Sequence, residues 1–108
     1  MSKAIQIVTT FPTHAAAETA AVELVDRKLV ACVQISGPIT SVYRWEGVIE
    51  HDEEYTLTLK TRRELFDAVA AAIRELHTFD IPEILAFEVV AGNEAYLRWI
   101  EEETSPQS

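Results

Sequence analysis

Hydrophobic and polar positions change period several times along this chain, and each change predicts an element. Ala4 to Thr10 sets Ile5, Ile7 and Val8 among Gln6 and two threonines, the pattern of a mostly buried strand. Phe11-Pro12-Thr13 breaks it and offers Thr13 as a helix N-cap. From His14 to Lys28 the period becomes helical: Ala17, Ala21, Leu24, Val25 and Lys28 fall on one stripe, while Glu23 and Arg27 form an i,i+4 pair. Alternation returns from Ala31 to Ile35, bends at Gly37-Pro38, and resumes from Ile39 to Trp45. Glu46-Gly47 reads as a turn, followed by a long return strand from Val48 to Lys60. An interruption of that strand is expected at the charged run Glu50-His51-Asp52-Glu53-Glu54.

The second half repeats the order. Thr61 and Glu64 have capping-box spacing, so a helix is expected from Arg62 to about His77, with Leu65, Val69, Ile73 and Leu76 inward. The stretch His77-Thr78-Phe79-Asp80-Ile81-Pro82-Glu83 cannot be regular helix, because Pro82 lacks an N–H and biases Ile81 towards extended backbone. It reads as a stiff connector to an apolar strand from Ile84 to Val90. After Gly92, Asn93 can cap a last helix with Tyr96, Leu97 and Ile100 inward and Trp99 beside them. The order β-α-β-β-α-β plus a terminal helix is the α+β ferredoxin-like sandwich, with a four-stranded antiparallel sheet, a long hairpin and two helices on one face. The opposite sheet face is then uncovered, and self-association is the simplest cover.

At 108 residues the chain is expected to be one domain, with a loose tail from about residue 103. Eighteen acidic residues against nine lysines and arginines give a formal net charge of −9, which argues against nucleic acid and anionic membranes as partners and permits cations. Cys32 is the single cysteine, so no internal disulfide can form. No signal or transit peptide and no membrane span is visible, and a cytoplasmic setting is expected.

Candidate chemistry is sparse. His77, Asp80 and Glu83 recur at spacings of three in the connector, and read either as a polar site or as helix-ending chemistry. Cys32 is a small buried hydrophobe or a soft ligand without a neighbouring cysteine. Lys60 is a strand-end charge or a partner for an anion. The acidic run 50–54 lacks the glycine and spacing of a calcium loop. No nucleophile is paired with a base, so no enzyme is expected; His77 and Asp80 as acid and base form the weakest alternative.

Five stretches, in this order, carry a resemblance. They are Leu29-Val30-Ala31-Cys32-Val33, Ser41-Val42-Tyr43-Arg44-Trp45-Glu46-Gly47, Leu59-Lys60-Thr61, the 77–83 connector, and Gly92-Asn93 leading to Tyr96-Leu97-Arg98-Trp99. Together they closely resemble the CutA family of divalent-cation tolerance proteins. The resemblance implies a homotrimer that binds copper(II) or another divalent cation, none of it obligatory. It implies metal contacts at Cys32, His77 and Glu83, and an intersubunit pocket lined by Tyr43, Lys60, Asp80 and Trp99. Tyr43 and Trp45 are expected in the trimer interface. Some bacterial members have a cysteine where this chain has Thr9, a departure that weakens tight Cu(I) binding. A PII-like regulatory trimer, taking a small anionic ligand near Lys60, is the alternative.

Overall fold

The computed structural model describes residues 3–106. Its elements are β1 (Ala4–Phe11), α1 (His14–Asp26), β2 (Cys32–Trp45), β3 (Val48–Arg62), α2 (Phe66–Leu76), β4 (Ile84–Glu88) and α3 (Glu94–Glu103). All neighbouring strands are antiparallel in the order β2-β3-β1-β4, the ferredoxin-like arrangement expected.

Register assigns every strand residue to one of two faces, because side chains alternate. Ile5, Ile7 and Phe11 pair with Thr61, Leu59 and Tyr55, and this face meets the helices. There Leu57, Leu59, Leu24, Val69 and Ile73 form the core with Ala17 and Ala20, all essentially inaccessible. The alanines of α1 let its backbone lie close to the sheet. The even-numbered face carries Gln6, Val8, Thr10, Thr56, Thr58 and Lys60. One end of that face is covered by α3: Ile100 is buried, and Arg62 donates from Nε to Thr104 Oγ1 and from Nη2 to the Thr104 carbonyl, both at 2.9 Å. The expectation of a wholly bare second face is therefore corrected. Leu85 and Phe87, both 52% exposed, remain open on it. The same pair of bonds ties Thr104 to β3; residues 107 and 108 of the expected tail lie outside the described residues.

Four local expectations are revised. The first helix stops two residues early: Lys28 takes φ +61°, and the bonds Leu29 N–H to Leu24 O and Lys28 N–H to Val25 O close a Schellman motif. Val25, placed on the inward stripe, is 43% exposed. Thr61 caps nothing. It belongs to β3, is fully buried and donates to the Leu29 carbonyl at 2.7 Å, while α2 starts at Phe66 behind a 3-10 turn, Arg63–Leu65. Tyr96 of α3 is 42% exposed, which leaves Ile100 and the half-buried Leu97 as the inward residues.

The largest revision concerns the hairpin. Strand β3 runs through its acidic segment without interruption, paired with β2 from Ile39↔Glu54 to Trp45↔Val48. Backbone hydrogen bonds hold this arm, so its side chains need not be apolar. Glu46 and Gly47, at φ +49° and +82°, make the two-residue turn whose twist suits a hairpin. A register shift between Ser36 and Ile39 accommodates cis Gly37-Pro38 and bends β2 without ending it. The arm stretches the molecule to 48 Å against 27 and 22 Å across.

Candidate functional site

The connector is positioned by its histidine. The Nε2–H of His77 donates to the Thr10 carbonyl at 2.6 Å, and its Nδ1 accepts from the Phe79 N–H at 3.1 Å. These partners specify the neutral Nε2–H tautomer. The ring lies between Phe11 and Phe79, each with centroids 4.5 Å away. His77 thus ties the end of α2 to β1 and sets the direction in which residues 78–83 leave.

Opposite this connector stands the hairpin arm, and a cleft of about 650 Å³ lies between them. Tyr43, Trp45 and Glu54 line one side; Phe79, Asp80 and Glu83 line the other. Alternation explains the arm's share, since Tyr43 is paired with Glu50 and Ser41 with Asp52, which puts them on the face of Glu54. The Tyr43 hydroxyl donates to Asp52. That hydrogen bond, followed by desolvation and by the charges of Asp52, Glu50 and Glu54, pushes the phenol up to about 12. Three carboxylates and no lysine or arginine line the cleft, so within one protomer a small anion would meet repulsion.

The expected site residues divide between two places. Tyr43, Trp45, Asp80 and Glu83 share the cleft, with His77 behind its wall. Cys32 and Lys60 sit elsewhere, paired with each other at the α3 end of the sheet, where the Lys60 ammonium donates to Gln34 Oε1 at 2.6 Å. Trp99 lies beside Tyr96 on α3, with ring centroids 5.5 Å apart and the planes tilted by 32°. Partial burial, then the neighbouring Cys32 thiol, raises the Tyr96 phenol above its ordinary value.

The metal set implied by resemblance can now be tested for fit. Cys32 on β2 and Glu83 before β4 are three strand spacings and several residues apart, roughly 20 Å. Both His77 nitrogens have partners within the protomer. Among the described residues, no three His, Cys, Asp or Glu side chains come together to hold an ion. One protomer alone does not fit the group. Thr9 is fully buried on the helix side of the sheet, between Leu57 and Ile84, so a thiol at that position would lie on the face opposite Cys32. Glu54, which lines the cleft and is 8% exposed, was missed because an acidic run normally signals a solvated face. Its signal was the alternation that puts it on the same face as Tyr43.

Fold and site define a ferredoxin-like α+β protein with a projecting hairpin and an acidic, aromatic-lined cleft. Residues 5–103 match the family described as CutA1 divalent ion tolerance protein, and the chain belongs to that family. It is 38% identical over 98 residues to the divalent-cation tolerance protein CutA of Thermus thermophilus, covering 91% of this chain and 95% of that one. Identity to the Pyrococcus horikoshii protein of the same description is 40% over 100 residues, covering 93% of this chain and 97% of that one. Protein CutA 1, chloroplastic, of Oryza sativa is 38% identical over 100 residues, 93% of this chain; the chain spans only 56% of its length. The crystal structure of CutA1 from Oryza sativa superposes with a TM-score of 0.94 at 36% identity, covering 98% of this chain and 97% of that one.

Proposed function

We propose that this protein serves tolerance to divalent cations as a homotrimer, and that copper(II) or another divalent ion is held between copies rather than within one. It is not an enzyme, and it works in the cytoplasm. The single observation that carries the assembly is apolar surface outside the cleft. Val48 and Ile49 on the arm are 57% and 58% exposed, Leu85 and Phe87 lie open on the sheet, and Val90 is 93% exposed. Such patches mark interaction surfaces, and long unpaired edges are liabilities in a monomer.

The metal reading is supported by the family and by donor chemistry. Asp80 and Glu83 are exposed carboxylates, and Cys32 is a half-buried thiol on a different part of the surface. Donors that cannot meet inside one protomer can meet across two. Exposed carboxylates brought together from two copies suit a divalent ion, whereas His77 keeps both its nitrogens within the protomer. The test is a copper(II) titration of the purified protein with its mass followed by sedimentation. A saturable site in the trimer, weakened at least tenfold by Glu83→Gln without loss of assembly, is expected. Unchanged affinity in that variant would reject Glu83, and a well-folded wild-type monomer at micromolar concentration would reject the trimer.

A further inference from the structure

Between α2 and β4 a side chain supplies the hydrogen bonds that the backbone does not. Among the described residues, residues 78–83 make no backbone–backbone hydrogen bond. Pro82 has no N–H to give. His77, at which α2 ends, is extended, with φ −97° and ψ 149°. From there its Nδ1 accepts the Phe79 N–H, two residues on, and its Nε2–H donates to the Thr10 carbonyl of β1. An asparagine side chain often makes the first of these bonds in a turn; here an imidazole makes it and also crosses to a strand.

A histidine binds a metal ion through a bare ring nitrogen. The Thr10 bond alone would leave one, since ligating histidines commonly give their other N–H to a carbonyl. The Phe79 N–H is what removes it, by taking the remaining lone pair. Freeing Nδ1 would strand that amide and draw the ring out from between Phe11 and Phe79. Joining copies changes none of this, because every partner of the ring lies in its own protomer. We infer that His77 in this chain is a positioning residue and not a metal ligand. It fixes the course of the connector, and thereby the placement of the exposed carboxylates Asp80 and Glu83 further along it.

The inference rests on the proposed divalent site only for what the connector does to Asp80 and Glu83; the hold on the connector is measured without metal. Ring-nitrogen NMR of the full chain at about pH 8, above the ordinary imidazole range, should show the neutral Nε2–H tautomer at His77. Saturation with zinc(II), a diamagnetic divalent ion, should leave both His77 nitrogen shifts in place. Exchange of the Phe79 amide should quicken roughly 5- to 10-fold in His77→Ala and stay slow in His77→Asn, whose carboxamide oxygen reaches the Nδ1 position. Zinc affinity should fall about 3- to 10-fold in His77→Ala and recover in His77→Asn. A His77 nitrogen shifted by zinc, an Nδ1–H tautomer, Phe79 exchange as fast in His77→Asn as in His77→Ala, or zinc affinity lost equally in both would each overturn the inference. A wild-type protein that takes up no zinc would reject the divalent site alone, and the tautomer and the Phe79 exchange would still decide the role of His77.

Discussion

Lys28 holds a left-handed conformation, φ +61°, in a position where helices usually end on glycine. Its side chain gains nothing visible there, whereas the Schellman bonds around it close the helix. Lys28→Gly should therefore stabilise the protein by about 1 kcal/mol, read from urea unfolding at fixed protomer concentration. Tyr43 gives a pH signature. Its phenol should titrate near 12 in the folded protein, against 10.0 for the free group, mainly because of its hydrogen bond to Asp52. The sign follows from the raised value: the stabilisation is complete below pH 10 and is lost as pH rises through 12. Phenolate absorbance should show the transition moving back towards 10 in Asp52→Asn. Neither residue's role is readable from its neighbours in sequence, since one depends on a backbone angle and the other on a cross-strand diagonal.

At the scale of elements, the hairpin arm governs the cleft, and Gly37 governs the arm's departure from the sheet. Its φ is +142°, and a Cβ there would lie 2.9 Å from Tyr55 Cδ2 and 3.1 Å from the Glu54 carbonyl. Gly37→Ala should destabilise by roughly 1–3 kcal/mol or more, with a lowered melting temperature at fixed concentration. Because Glu54 lies at the clash, the same change should disturb the cleft wall. Element order and the Glu46-Gly47 turn were legible from periodicity and turn chemistry alone. The unbroken β3 was not, because an acidic run breaks the apolar alternation by which strands are recognised, while the backbone ladder to β2 ignores side-chain polarity. The Thr61–Glu64 pair failed for a related reason: capping spacing is local, and burial of Thr61 against the Leu29 carbonyl is not.

Taken whole, the molecule is an elongated protomer with apolar arm and sheet surfaces. Ile49 lies on the arm face turned away from the cleft, paired with Arg44, and is 58% exposed. On the proposed trimer, Ile49→Glu should lower the assembled fraction by sedimentation and make the melting temperature fall and depend more steeply on concentration. Unchanged assembly in Ile49→Glu would remove this part of the arm from the interface.

Sequence by itself determined the α+β order, the sandwich, the long hairpin and the connector at His77, since each follows from hydrophobic period, proline and turn residues acting over a few positions. It also brought forward His77, Asp80, Glu83 and Tyr43 as polar groups worth attention. Only the tertiary structure decided that His77 is held by the Thr10 carbonyl and the Phe79 N–H, that Cys32 and Lys60 stand apart from the cleft, and that Glu54 turns into it. Those outcomes depend on register and on how strands β1 to β4 lie side by side. A residue's spacing along the chain carries no record of what faces it across the sheet.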